Sequence, residues 1–393
     1  MMKIQMGMKF RIYPNQTEKA RLAIQFGHAR FVYNSTLAAR KEYFELTGKG
    51  LSKAACDKII TALKKDENFS WLRDADSQVL QQKSADVDTA YKNFFKHTAG
   101  YPSFKHKSSE QKIRYPQRVK FIGNTTYLPK VGYIRTKFHR PLVGSQKSVT
   151  VSKTKTEKYF ISVLCEYETD QPVHNGPAVG IDLGLKDFLI TSDGAKTKHP
   201  KLLKEKEARL KRSQRALSKK KKGSNNRAKA RLQLAIQHEK LTNARKDFLH
   251  KESARLTSDF GFIGTESLKV CNMLKNHCLA KAISDSGWGE FVRQLEYKSA
   301  WKGGYVVKIG TFFPSSKTCN NCKHINSDLK LSDRTWVCPN CRSVLDRDIN
   351  AALNILEEAT AGAAGIKACG EDVRLNAFLG TKLTSEKQEA QGL

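Results

Sequence analysis

The sequence predicts a multidomain protein of mixed α/β and β class, and three observations predict it. Residues 3–12 and 159–167 both alternate apolar and polar side chains, the mark of half-buried strands, while helical spacing fills much of the chain between them. Short apolar strands recur later, at 178–181, 260–264 and 305–309, among long charged helical patterns. Two Cys-x-x-Cys pairs near the end add a small metal-dependent module. At 393 residues the chain has room for about two or three domains.

Taken in order, Ile4, Met6, Met8, Phe10 and Ile12 share one face of the first strand, and Lys3, Gln5, Lys9 and Arg11 the other. Pro14 ends it, and Asn15 or Thr17 can cap a helix running to about Leu46, with Leu22, Ala23, Phe26, Ala29, Val32 and Tyr33 at helical spacing. Gly48 to Gly50 break that helix. Two more are expected near 52–65 and 77–97, the second burying Leu80, Val87, Tyr91 and Phe94. Residues 100–105 read as a loop, 111–169 as strands with a polar turn at 155–158. If the first strand pairs with this later sheet, residues 1–14 and 106–175 form one β domain, into which residues 15–105 are inserted as helices. A linker at 172–177 leads to a domain at 176–358. A helical hairpin is expected at 199–256, broken at 223–226, and a helix at 349–357, with Asp346 as its cap. The tail, 359–393, is rich in small and polar residues and is expected to be loosely ordered.

The composition excludes several classes. With 39% hydrophobic residues the chain can build real cores, so it is not wholly disordered. No run approaches 18 apolar residues, so a membrane span is not expected, and the start lacks the apolar block of a signal peptide. Seventy Lys and Arg against 38 Asp and Glu give a net charge of +32, which favours a polyanionic partner. Nine cysteines are an odd number, and four lie in Cys-x-x-Cys pairs. Metal in a reducing compartment fits better than a disulfide framework, which points to the cytoplasm.

Cys319, Cys322, Cys338 and Cys341 have zinc-ribbon spacing, 15 residues between the pairs, and occupy a module at 314–345. Two tight turns can bring four thiolates around one tetrahedral zinc, and four protein ligands leave no open position, so the metal is structural. Cys56, Cys165, Cys271, Cys278 and Cys369 lack such partners and read as small core or surface residues.

Three carboxylates stand far apart in the chain: Asp182 just after one apolar strand, Glu266 just after another, and Asp348 at the start of an amphipathic helix carrying Ile349, Leu353 and Leu356. Folding could gather them around one or two hard divalent cations, Mg²⁺ or Mn²⁺, suited to phosphodiester cleavage. A helix N-terminus also favours the anionic form of Asp348. Singly, each signal is weak: a lone Asp after a strand is more often a turn or cap residue, and Asp182-Leu183-Gly184 also occurs in phosphate-binding turns of actin-like ATPases. Asp187 and Asp193 read as surface turn residues. Residues 201–231 hold 14 Lys or Arg and two acids, peaking at Lys219, Lys220, Lys221 and Lys222. They suit contact with a phosphate backbone, which positions nucleic acid without reading its sequence. Tyr101, Phe104 and Lys105 lie in a loop open to base stacking. Trp288 and Trp301 read as packing residues.

As a set, GIDLGLKDF at 180–188, IGTESL at 263–268, GWGEFVRQLEYKSAWKGG at 287–304, FPSSKTCNNC at 313–322 and LDRDINAALNI at 345–355 resemble the TnpB (OrfB) proteins of insertion-sequence transposons. ARFVYN at 29–34 and AYKNFF at 90–95 match as well, so the resemblance covers about residues 1–357. It implies an RNA-guided DNA endonuclease related to type V CRISPR effectors. It also implies an RNase H-like (RuvC) nuclease domain with an inserted zinc ribbon, and a wedge-like β domain carrying a helical recognition insertion. The nuclease acids would be Asp182, Glu266 and Asp348. The implied partners are a noncoding guide RNA and double-stranded target DNA lying beside a short transposon-adjacent motif, with one monomer on one RNA. Lys53 and Gln81 fall in the region that reads that motif. A guide-dependent repressor or transposition accessory without cleavage is the alternative, and the three acids argue against it.

Overall fold

The computed structural model describes residues 2–108, 110–170, 172–330 and 332–367. It forms two compact units, residues 1–170 and 171–393.

In the first unit β1 (Met2–Tyr13) gives way to α1 (Gln16–Thr47) at Asn15, whose side chain and Glu18 form a reciprocal capping box. Gly48, at φ +68°, ends the helix in the left-handed region that glycine adopts freely. α2 (Lys53–Lys65) starts on the Ser52 hydroxyl, a 3₁₀ segment follows over Glu67–Asp74, and α3 (Ser77–Phe95) starts on Asp76. The strands β2 (Gln111–Tyr115), β3 (Lys120–Ile122), β4 (Thr125–Leu128), β5 (Gly132–Lys137), β6 (Ser145–Lys153) and β7 (Tyr159–Thr169) complete the unit. They form one sheet in the order β2-β6-β7-β1-β5-β4-β3. β1 runs antiparallel to β7 from Met2 opposite Thr169 to Ile12 opposite Tyr159. The opening strand therefore sits mid-sheet among strands from much later in the chain, and the helices are an insertion between them.

That sheet buries Met8, Phe10, Ile12, Ile113, Val151 and Ile161 against Leu22, Phe26 and Ala29 of α1. Asp76, also buried, accepts hydrogen bonds from the backbone of Gln78 and Val79 and pairs with Arg118 at 2.7 Å, which compensates its charge. The 3₁₀ segment has no counterpart in the sequence reading; its Leu72 is buried in a small helical core with Val32, Ile60 and Leu80.

The second unit comprises β8 (Ala178–Asp182), β9 (Asp187–Thr191), β10 (Lys196–Lys198), α4 (Leu202–Ser218), α5 (Asn225–Asp259), β11 (Phe262–Glu266), α6 (Val270–Met273), α7 (Ala280–Ser286), α8 (Trp288–Trp301), β12 (Tyr305–Ile309), β13 (Thr335–Val337), β14 (Val344–Asp346) and α9 (Arg347–Lys367). Five strands make a mixed sheet, β10-β9-β8-β11-β12, with β8, β11 and β12 parallel. Strand alternation assigns the faces. Val179, Ile181 and Ile263 pack with Leu249 and Leu256 of α5 and Phe291 and Leu295 of α8. Ala178, Phe262 and Ile309 point the other way, onto Ile355, Ala359 and Ala363 of α9. The sheet is thus covered by helices on both sides. The α4–α5 hairpin is tied down at its base, where Asp285 pairs with Arg245 at 2.6 Å and accepts from the Leu203 amide.

Four expectations need correction. The final helix does not stop at Glu357, nor does a loose tail begin at 359: α9 runs to Lys367, and Ala359 and Ala363 are buried because small residues let it lie close on the sheet. Residues 368–393, and with them the rest of the expected loose tail and Cys369, lie outside the described residues. The buried stripe of α9 is Ala351, Ala352 and Ile355, not Ile349, Leu353 and Leu356, which are only half-buried. Asp187 is not in a surface turn but opens β9. Asp182 and Glu266 are the last residues of their strands, not the residues after them.

Candidate active site

β8 and β11 are neighbours in parallel register, with Gly264 opposite Gly180 and Thr265 opposite Ile181. The next residue along each strand is Asp182 and Glu266, so the register alone sets these carboxylates side by side. Alternation then chooses their face: Asp182 shares that of Gly180, and Glu266 that of Gly264. Both glycines touch α9. A Cβ on Gly180 would stand 2.0 Å from the Ala352 carbonyl oxygen, and one on Gly264 2.8 Å from Ala359 Cβ. Asp348 lies one helical turn before Ala352, so the start of α9 delivers it to the strand ends.

The electrostatics agree with this convergence. The Asp182 carboxyl is raised from 3.8 to about 7, first by burial and then by repulsion from Glu266 and Asp348, against smaller opposing effects from the Leu183 amide and Arg347. The other two acids are turned onto single partners. The Ser315 hydroxyl donates to Glu266 Oε1 at 2.6 Å, and Arg334 Nη1 lies 3.3 and 3.4 Å from the two oxygens of Asp348. The three carboxylates do not draw together as tightly as the cysteines do; among the described residues the set of donors within 4.8 Å of one another is the four thiols. Asp346 caps α9, accepting from the amides of Asp348 and Ile349, and pairs with Lys196 at 2.7 Å. It is thereby occupied, which leaves Asp348 as the acid that faces Asp182.

The four cysteines are held by two knuckles of the same design. The amide of Cys319 donates to the His324 carbonyl and the Lys323 amide to that of Cys319; Cys338, Ser343 and Arg342 repeat the pattern. Lys323 and Arg342 both take positive φ, 61° and 58°, to close these turns. The Sγ atoms of Cys319 and Cys341 are 3.6 Å apart, as are those of Cys322 and Cys338. Sulfurs about 2.3 Å from a tetrahedral zinc would stand about 3.8 Å from each other, so the set fits that ion. Burial raises the Cys319 thiol to about 11, whereas hydrogen bonds from Ser343 bring Cys341 down to about 6. Around them lie Leu329, Trp336 and Leu345, a core too small to hold the module without metal.

Two asparagines that the sequence reading passed over fasten this ribbon to α9. Asn350 donates to the Thr318 carbonyl and accepts from the Asn320 amide, and Asn354 donates to the carbonyls of Ser315 and Thr318. Both are buried. Their signal was the i, i+4 spacing of two amides on the buried face of a helix. Chelating zinc, or replacing Cys338 with Ser, should therefore unfold the ribbon and loosen Ser315, Arg334 and Asp348 together. A colorimetric zinc assay should fall from one ion per chain to none, with a lowered melting temperature.

Residues 162–277 match the family described as "Probable transposase" (OrfB of the IS605 type), and residues 288–355 the Cas12f1-like TNB domain. A "Putative RNA-guided DNA endonuclease" of Streptomyces pristinaespiralis is 36% identical over 397 residues, spanning 100% of this chain and 98% of that one. The chain belongs to the TnpB (OrfB) family. A TnpB relative of Escherichia coli strain K12, named with the same activity, is 33% identical over 95% of this chain and 96% of its own. Among solved structures, the Cas12f1 protein of a complex with single guide RNA and target DNA shares the fold, with TM-score 0.55 and 16% identity over 87% of this chain and 83% of that one. Residues 1–49 match a family described as a helix-turn-helix domain, yet in this TnpB chain they form β1 and the single helix α1.

The remaining candidate residues are scattered. Lys219, Lys220, Lys221 and Lys222 are exposed at the tip of the α4–α5 hairpin and make no ion pair among the described residues; Arg227 braces the tip by donating to the Leu217 and Lys220 carbonyls. Lys53 is exposed on α2 and pairs with Asp57, and Gln81 is exposed on α3. Phe104 and Lys105 line a cavity of about 870 Å³ with Arg30, Tyr33, Lys83 and Asn93, and the Lys105 ammonium lies over the Tyr33 ring. Tyr101 lies apart from that lining, packed edge-on against Tyr91 and Phe94. Trp288 is buried under α5, and Trp301 meets the Tyr297 ring edge-on. Among the described residues no helix is long and apolar enough to cross a membrane.

Proposed function

We propose that this TnpB protein is a transposon-encoded, RNA-guided DNA endonuclease whose RuvC-like centre is Asp182, Glu266 and Asp348. The observation that supports the cutting chemistry is the register that sets Asp182 beside Glu266, together with the start of α9, which carries Asp348 toward them. Their fit to a hard divalent cation follows from the donors. All are carboxylates, burial and then repulsion from the other two lift Asp182 to about 7, and a cationic side chain, Arg334, already leans on Asp348. Bound there, Mg²⁺ or Mn²⁺ would supply charge neutralisation and a more acidic water for phosphodiester hydrolysis, giving 5′-phosphate and 3′-hydroxyl ends. The chain's own residues hold the site: Ser315 orients Glu266, Asp346 fixes the first turn of α9, and the zinc ribbon seats Arg334.

The guide RNA would read the target by base pairing, while the protein supplies positive charge and reads a short transposon-adjacent motif. Lys53, Gln81, Tyr101, Phe104 and Lys105 are our candidates for contacts in the first unit, and the lysines of the hairpin tip for the second. The protein would work inside the cell, associated with the nucleoid, as a monomer on one RNA. Co-purified RNA should contain a defined noncoding species from the same locus. With it, Mg²⁺ should permit cutting of a matching plasmid; binding without any cutting would favour a guide-dependent repressor instead.

The charge claim has its own test. Six to ten phosphate contacts would weaken RNA binding by about 10³- to 10⁵-fold between 50 and 200 mM salt. Replacing Lys219 to Lys222 with Ala should lower affinity and flatten the salt dependence by about three to four counterions. A slope unchanged by the replacement would remove the hairpin tip from the interface.

A further inference from the structure

Phe312 is 90% exposed, the most open of the large apolar side chains described. A phenylalanine left in water forgoes the gain of burying its apolar ring, so this one stands where packing would not have put it. It is not on a floppy segment. The turn after β12 is closed by the Phe313 amide on the Gly310 carbonyl, Phe313 packs into the core beneath α9, and the Ser315 amide bonds the Phe313 carbonyl. Ser315, three residues on, is buried and donates to Glu266. From the other side, Lys269 follows Glu266 by three residues, its backbone carbonyl engaged by the amides of Asn272 and Met273. Its ammonium lies 5.6 Å from the centroid of the Phe312 ring and makes no ion pair among the described residues. An open aromatic ring and a free cation are thus set together on two pinned segments that both lead to Glu266.

A ring and an ammonium side by side match the two chemistries of a nucleotide, a stacking base and an anionic phosphate. We propose that Phe312 and Lys269 form a nucleotide clamp at the lip of the acidic centre. Phe312 stacks on an unpaired base beside the scissile phosphate, and Lys269 pairs with the neighbouring phosphate, holding the single strand in line with the three carboxylates. This deepens the nuclease reading and rests on it. Stacking takes any base, as a guide-directed enzyme requires, because sequence is read elsewhere.

The test places 2-aminopurine at successive positions across the cut site of a matched target, in the protein–RNA–DNA complex with Ca²⁺ replacing Mg²⁺. Stacking quenches the probe. The wild type should quench one position beside the cut, Phe312→Ala should restore its fluorescence, and Phe312→Trp should quench it again. In Mg²⁺, Phe312→Ala should slow single-turnover cutting by about 10- to 100-fold while guided target binding is kept. An abasic nucleotide at the quenched position should slow the wild type alike and cost Phe312→Ala nothing further. Lys269→Ala should slow cutting with a flatter salt dependence. If Phe312→Ala lowers the melting temperature and cutting without changing any probe signal, its role is structural and the clamp is wrong. If the wild type cuts and no position responds to Phe312→Ala, the clamp is wrong and the nuclease stands; failure of the wild type to cut any matched target would overturn the nuclease reading, with the Ca²⁺ probe signals still deciding the clamp.

Discussion

Asp182→Asn should abolish target cutting, leave guided DNA binding in place, and raise the melting temperature of the metal-free protein. The two effects have one cause. Half-buried at the end of its strand and facing two other carboxylates, Asp182 holds its proton up to about pH 7 in the folded chain, against about 4 when unfolded. A group whose folded pKa is raised binds protons more strongly in the folded state, so the contribution of Asp182 to stability is fullest below pH 4 and declines as pH climbs from 4 to 7. Above pH 7 the folded, metal-free protein carries the whole penalty, at most about 4 kcal/mol for three pH units and less where water reaches the carboxyl. Asparagine keeps the shape without the charge and removes that penalty, worth about 2–4 °C of melting temperature per kcal/mol in a unit of this size. It would also remove the charge that the proposed divalent cation needs from this side chain, which should cost cutting by at least about 10³-fold. For the wild type, cutting should slow by about tenfold for each pH unit below 7, as the metal must displace the proton. Single-turnover cutting from pH 5.5 to 8.5 and thermal melts with EDTA check both halves. Asparagine that cuts normally would dismiss the metal role; a melt that falls would dismiss the repulsion.

The strand and helix patterns told most of the fold. Alternation placed β1 and β7, helical spacing placed α1 and α3, and the break at 223–226 placed the turn of the hairpin between α4 and α5. Pairing of β1 with the later sheet was readable because an alternating strand needs a partner and the helices that follow it could not supply one; that its neighbours are β5 and β7 was not. The 3₁₀ segment at Glu67–Asp74 was not readable, since eight residues with one buried leucine carry no periodicity. The last helix was misjudged for a different reason. A run of alanine, glycine and threonine looks like weak periodicity on any hydropathy scale, yet small side chains are what allow α9 to lie against a sheet at Gly180 and Gly264. The acids themselves were visible as three residues at element boundaries. That they share a face was written in the glycine two residues before each strand acid, at Gly180 and Gly264, a pattern that has meaning only once the helix that covers it is known. Arg334 and the two asparagines were invisible for the same reason: their partners are 14 to 39 residues away in sequence.

The glycine at position 180 supports the second large effect. Gly180→Ala adds one methyl group, and that group would stand 2.0 Å from the Ala352 carbonyl oxygen, 2.6 Å from the Leu356 amide nitrogen and 2.8 Å from Leu356 Cβ. Two of these are backbone atoms of a helix, which no rotamer change can move aside. β8 and α9 must therefore separate, and α9 carries both Asp348 and the asparagines that seat the four-cysteine ribbon. Overpacking of this kind costs about 1–3 kcal/mol, and more when backbone is the obstacle. The cost to chemistry should be larger, since displacing a reacting group by about 1 Å can lower a rate by about 10²-fold. The expected result is a folded protein with a lowered melting temperature, zinc still bound, and single-turnover cutting down by at least about 10²-fold. Gly362→Ala is the matched control. It lies on the same helix, its added methyl would meet nothing within 4 Å, and alanine is the better helix former by about 1 kcal/mol. That variant should melt at or above the wild-type temperature and cut at the wild-type rate. If Gly180→Ala cuts as fast as Gly362→Ala, close contact of α9 with β8 does not set the position of Asp348, and the carboxylates are gathered by something other than the helix that carries one of them.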